Sequence, residues 1–246
     1  MSQSQVPRET TILGAEGVRL HVVEWGAPAG WPVVILHGGA HNASIWEPVC
    51  RRLPPELRVI VPDQRGHGDS DWSPTGDYSC AAQSEDLDRL LQTLEIGRCA
   101  LVGHSMGGLN ALRYAGTRPE CIAALVLVDV GTETRRAGLE RTQRARSQPD
   151  RGRPEASFDT RLIKFVPTYG GDTEERRRLL AAAAAPLLLM RGEYSRILTR
   201  ESAATTARLG NGTTAEIPDA GHNVALDNPQ AVAEALAGFL GPLVAT

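Results

Sequence analysis

The sequence predicts an α/β protein, a doubly wound and mostly parallel sheet of eight strands with a small inserted helical lid. Three observations predict it. Short β-branched runs alternate with stretches of helical periodicity, the signature of a sheet whose crossovers are helices. The 246 residues are enough to bury one large core. That alternation is interrupted once, from Gly131 to Arg178, by a polar, arginine-rich stretch broken at Pro149, Pro154, Pro167 and Gly170–Gly171.

Taken in order, Thr10–Leu13 and Val18–Trp25 flank a turn at Gly14–Gly17 and predict an opening antiparallel pair. Pro32–Leu36 and Arg58–Val61 are short strands that end in turn residues. Leu87, Leu90, Leu91 and Leu94 recur at spacings of three and four, so Ala81–Leu94 predicts an amphipathic helix. Cys99–Val102 (strand), Leu109–Ala115 (helix) and Ala123–Val128 (strand) follow. After the interruption come Pro186–Met190 (strand), Glu201–Leu209 (helix), Thr213–Ile217 (strand) and Pro229–Leu240 (closing helix). Ala181–Ala185 suits either the end of a helix or the approach to a strand. The domain reading is therefore a core of residues 1–130 and 185–246 with an insertion at 131–184.

Composition narrows the function. A net charge of −3 leaves no electrostatic footprint for nucleic acid. No apolar run approaches the length of a membrane span, and MSQSQVPRET has no secretory apolar region, so a cytoplasmic protein is expected. Cys50, Cys80, Cys99 and Cys121 are scattered without metal-ligand spacing, and no metal or cofactor is expected. The stretch Gly131–Leu180 carries 12 Lys/Arg against 8 Asp/Glu, which reads as a solvated face.

The chemistry concentrates after the strand at Cys99–Val102. Gly103-His104-Ser105-Met106-Gly107 is a G-x-S-x-G placed between a strand and a helix, the setting of a nucleophile elbow. The turn there is too tight for side chains flanking the serine, hence the glycines. The new helix also aims its unpaired N–H groups at the same spot. His222, in Ala220-Gly221-His222-Asn223 before the last helix, follows the serine in chain order and is the candidate general base.

His37-Gly38-Gly39, Asp63-Gln64-Arg65-Gly66-His67-Gly68-Asp69-Ser70, Gly103–Gly108, the strand ending in Asp129 and Ala220–His222 together resemble the α/β-hydrolase superfamily over nearly the whole chain except the insertion. Within it they are most similar to small cytosolic esterases, carbon–carbon bond hydrolases and cofactor-free perhydrolases. The resemblance implies an oxyanion hole built on Gly38–Gly39 and Met106, with N–H donors from Gly39 and Met106. It implies a serine hydrolase acting on a small acyl substrate, with Ser105 as nucleophile and no cofactor. The alternatives are a biosynthetic acyltransferase or cyclase, or a non-catalytic ligand-binding protein on the same fold. His37, His67 and His104 read as structural, and Ser105 at the elbow disfavours Asp63 as a carboxylate nucleophile.

One position departs from the family pattern. The triad acid commonly follows the glycine that ends strand seven by three or four residues, and those slots here hold Ser195 and Arg196. Neither can orient an imidazole as a carboxylate does. Asp129 at the end of strand six and Glu193 in the strand-seven loop are the replacements, with a Ser–His dyad lacking any acid as the third possibility.

Overall fold

The computed structural model describes residues 6–133, 158–165 and 169–244. Its sheet has eight strands: β1 (Arg8–Leu13), β2 (Arg19–Gly26), β3 (Trp31–Leu36), β4 (Leu57–Pro62), β5 (Cys99–His104), β6 (Ile122–Val128), β7 (Leu187–Gly192) and β8 (Thr213–Ile217). They lie in the order β1-β2-β4-β3-β5-β6-β7-β8. β2 runs antiparallel to β1 and β4, and every other pairing is parallel. The helices are α1 (Glu47–Cys50), α2 (Cys80–Thr93), α3 (Met106–Thr117), α4 (Thr173–Ala183), α5 (Arg200–Leu209), α6 (Val224–Asp227) and α7 (Pro229–Val244). The eight strands and four longer helices expected outside the insertion all form, with ends that shift by at most four residues. Ala181–Ala183 finish α4, and Ala184 closes it with a left-handed φ of 47°. The two four-residue helices, α1 and α6, are too short to show a period in the sequence.

Strand alternation divides the core between the two faces of the sheet. Val34, Leu36, Leu101, Leu125 and Leu127 face α2, α3, α4 and α5. Val33, Ile35, Val102, Val126 and Val128 face α1, α6 and α7 with Trp46, Val232 and Leu236. β5 is buried along its whole length, as a central parallel strand covered on both faces must be. Of the expected insertion, 134–157 and 166–168 lie outside the described residues. In the described part, Thr160–Phe165 makes a 3-10 turn, and α4 buries Leu180 and Ala183 in the same cluster as Leu112 of α3. Among the described residues no helix is long and apolar enough to cross a membrane.

Buried polar groups lock the loops at the carboxyl end of the sheet. Arg65 is fully buried and binds Asp86 of α2 through Nε (2.5 Å) and Nη2 (2.8 Å), and Glu16 through Nη1 (3.0 Å). Asp86 also accepts from the Ala15 N–H at 2.9 Å, so one ion-pair cluster ties the β1–β2 turn, the loop after β4 and α2. His37 and His67 are buried with ring centroids 5.0 Å apart. His37 donates from Nδ1 to the Gly38 carbonyl (2.9 Å) and accepts at Nε2 from the Gln64 N–H (2.9 Å). Gln64 returns a bond to the His37 carbonyl (2.6 Å) and accepts from Asn110 Nδ2 (2.7 Å), whose own carbonyl accepts from the Tyr169 hydroxyl (2.7 Å). His67 reaches the Arg65 carbonyl at 3.1 Å and stacks on Phe158. Both imidazoles thus brace backbone, as the sequence predicts.

The elbow itself is a backbone contact. A Cβ on Gly107 would lie 2.5 Å from both the Leu36 and His37 carbonyl oxygens, and one on Gly103 would lie 2.4 Å from the Gly107 carbonyl. Nothing lies within 4 Å of a Cβ at Gly97. Gly107→Ala should therefore abolish soluble folded protein or cost at least about 3 kcal/mol, whereas Gly97→Ala should stay within about 1 kcal/mol of the parent. Urea denaturation of both variants measures the contrast.

Burial pushes the His37 pKa down to about 4; burial, then repulsion from His37, pushes His67 down to about 3, both from an ordinary 6.5. The unfolded chain then binds protons that the folded chain refuses, so stability is full above pH 6.5 and falls as pH drops towards 4. The slope is on the order of 1 kcal/mol per pH unit for each imidazole. A urea midpoint that declines between pH 7 and pH 4.5, and declines less steeply in His67→Gln, is the expected result.

Candidate active site

β5 ends at His104, and α3 begins at Met106, so Ser105 alone makes the turn between them. It does so with φ 52° and ψ −114°, a backbone conformation that costs energy for any side chain with a Cβ. A serine at a helix start ordinarily folds its hydroxyl back onto the first-turn N–H groups. Ser105 makes no such cap, and its hydroxyl lies 3.0 Å from His222 Nε2. The other ring nitrogen of His222, Nδ1, lies 2.7 Å from Asp129 Oδ2. Serine, imidazole and carboxylate thus form one line, drawn from the ends of β5, β8 and β6. Ser105 is 6% exposed and Asp129 is fully buried.

Asp129 leaves β6 with φ 51°, a left-handed conformation that Asp tolerates better than most residues. Its N–H bonds the Met190 carbonyl of β7 at 2.8 Å, which turns the side chain across the top of the sheet. Oδ1 accepts from the Gly192 N–H (3.2 Å), and Oδ2 accepts from Ser195 Oγ (2.6 Å) as well as from His222. Glu193, the rival carboxylate, turns away from the imidazole and accepts from the Asp219 N–H at 3.1 Å. Of the two candidates, only Asp129 meets His222. Ser195, in a slot that commonly holds the acid, is the site residue that sequence reasoning passed over. Its hydroxyl could be noticed there only once the acid beside it was known.

Two further contacts hold the His222 loop. His104 Nε2 donates to the His222 carbonyl (2.8 Å), and the Tyr194 N–H donates to the Ala220 carbonyl (2.8 Å). Gly192 allows the close approach, since a Cβ there would lie 1.9 Å from the Gly221 carbonyl. The contact of Gly107 with the Leu36 and His37 carbonyls sets the start of α3 against the end of β3 and the residue that follows it. Gly38 passes close under His104, where a Cβ would lie 2.7 Å from Nδ1. Met106 is the first residue of α3, so its N–H is among those the helix itself leaves unpaired. Its side chain packs with Tyr78, Phe158 and Leu162 in a separate apolar cluster.

Such a line can move a proton from the serine hydroxyl to the imidazole while the carboxylate holds the ring by its other N–H. Other reactive groups are spent on structure. Asp63 accepts from the Ala43 N–H (2.6 Å), the Asp69 N–H (2.9 Å) and His21 Nδ1 (3.0 Å), so its carboxylate clamps the loop after β4. Burial raises the Cys80 and Cys99 thiols to about 12, which keeps both protonated.

Comparison with known proteins agrees with this architecture. An esterase of Mycobacterium tuberculosis is 42% identical over 112 residues, covering 45% of this chain and 36% of that protein. The 2-(acetamidomethylene)succinate hydrolase of Mesorhizobium japonicum is 36% identical over 112 residues, covering 46% of this chain and 42% of that protein. The chain spans about a third of the length of the first curated relatives it matches. An alpha/beta hydrolase from Novosphingobium aromaticivorans superposes with a TM-score of 0.80 at 28% identity, covering 100% of this chain and 99% of that one. Residues 32–155, half of the chain, match the family described as the alpha/beta hydrolase fold, and with the eight-stranded sheet above them the chain belongs to that family.

Proposed function

We propose that the chain is a serine hydrolase that cleaves a small carboxylic ester or related acyl compound through an acyl-enzyme. The observation that carries this reading is the hydrogen-bonded line Ser105–His222–Asp129, set on a strained turn at the start of a helix. The names of the esterase and hydrolase relatives support it. On this reading Ser105 Oγ attacks the acyl carbon as its proton passes to His222 Nε2, and the carbonyl π-bond opens to an oxyanion. The N–H groups of Gly39 and Met106 receive that charge. Collapse expels the alcohol, which takes the proton from His222. Water then attacks the ester on Ser105 by the same path and frees the acid. Asp129 holds the imidazole in the tautomer that leaves Nε2 able to accept, and it steadies the cation that forms. Substrate choice falls to the 131–184 connection and to the apolar cluster around Met106.

Ser105→Ala should remove p-nitrophenyl acetate turnover and fluorophosphonate labelling together while leaving the thermal midpoint within a few degrees. Undiminished turnover by the purified variant would overturn the serine-hydrolase reading. Absence of labelling in the parent protein would favour a non-catalytic binder instead.

The acid is tested separately. Asp129→Asn should lower kcat by about 10²- to 10⁴-fold, the range that follows from misorienting the imidazole. Glu193→Gln should leave kcat within about threefold, because it loses only a charge on a loop bond. A fully active Asp129→Asn protein would instead describe a Ser–His dyad.

A further inference from the structure

We propose that Ser195 is a positioning residue for the candidate acid: from the strand-seven loop its hydroxyl brackets the Asp129 carboxylate. The inference rests on the proposed reaction and deepens it.

Hydrogen-bond saturation fixes where this hydroxyl points. A serine hydroxyl has one proton to give and two lone pairs to fill. Both lone pairs of Ser195 are occupied, by the N–H of Ile197 at 3.2 Å and of Leu198 at 3.1 Å. The proton is thereby directed to one acceptor, Asp129 Oδ2, at 2.6 Å. Hydroxyls usually rotate to suit their surroundings, but this one is held from behind by two backbone donors. The carboxylate in turn receives three donors of fixed position: the Gly192 N–H, Ser195 Oγ and His222 Nδ1. Two of the three come from the β7 end and loop, so the loop that lacks the acid still aims it. Asp129 needs that help, because it stands on a left-handed residue and reaches sideways from β6 rather than forward from β7. Without Ser195, Oδ2 would keep one donor, and the carboxylate could swing towards Gly192 and off the imidazole.

Arg196, the other residue of that slot, points elsewhere: it is exposed. Arg191, buried at the end of β7, supports the loop through Nε to the Leu198 carbonyl (2.9 Å) and Nη2 to the Ser195 carbonyl (3.3 Å). The bracket is therefore built on a held loop.

The test is steady-state hydrolysis of p-nitrophenyl acetate by the full chain. Ser195→Ala should lower kcat about tenfold with KM within about twofold, the loss of one bond to a charged group that matters only when the imidazole becomes a cation. Ser195→Thr keeps the hydroxyl and should stay within about threefold of the parent. Placed on Asp129→Asn, Ser195→Ala should change kcat by less than about twofold, since its target is already lost. A kcat for Ser195→Ala within twofold of the parent overturns the proposal. So does an equal loss on both backgrounds, or an equal loss in Ser195→Ala and Ser195→Thr, either of which assigns Ser195 to loop packing alone. If Ser195→Ala fails to fold, Ser195→Thr decides: a folded Thr variant with a tenfold lower kcat overturns the bracket. The underlying reading fails by a different observation, turnover by Ser105→Ala.

Discussion

Everything at the carboxyl end of this sheet depends on how closely the start of α3 approaches the end of β3. The contact is between main chains, Gly107 against the carbonyls of Leu36 and His37, and its distance excludes even a methyl group. That approach accompanies the strained turn at Ser105, which joins the end of β5 to the start of α3. The strain has compensation nearby. β5 is buried along its length and pairs with β3 and β6, so the elbow is gripped from both sides by the most rigid part of the fold.

Around that contact the loops are held by buried polar groups. Arg65 has lost its water entirely, and Asp86 and Glu16 replace it. Asp63 spends its carboxylate on two backbone N–H groups and His21. The thread Tyr169–Asn110–Gln64 ends on the His37 backbone, so a residue of the insertion is bonded, through α3, to the segment after β3. Buried ionic and polar clusters of this kind add less to stability than their number suggests, because desolvation offsets most of the attraction. Their effect here is geometric: each fixes a loop that side-chain packing alone would leave free to shift.

The pairing of His222 with Asp129 follows from strand spacing. Neighbouring strands are about 4.8 Å apart. An imidazole on a loop after β8 therefore lies within reach of carboxylates from either β6 or β7, and the choice falls to whichever loop aims one. β7 and its loop supply N–H and O–H donors in place of a carboxylate, and β6 supplies the acceptor. The same loop uses Glu193 to hold Asp219, so the second carboxylate fixes the path of the chain into His222.

Much of this was legible in the sequence because it is local. Strand alternation, helical periodicity and turn residues are set within about a dozen positions, which is why β1 to β8 and the longer helices outside the insertion could be read from the chain. Ser105 and His222 were legible for a related reason: a glycine-flanked serine between strand and helix, and a histidine before the last helix, are patterns in one dimension. The four-residue helices were not, being shorter than a period. The partner of His222 was not either. Asp129 lies 93 positions from His222 in the chain, and 66 from the serine that brackets it. The sequence pointed first to Asp129 but left Glu193 and a dyad without an acid open, because their separation from the imidazole depends on a strand order, a left-handed backbone angle and the hydrogen bonds of a loop. Those are properties of the folded chain alone, and they decided that the carboxylate at His222 comes from β6.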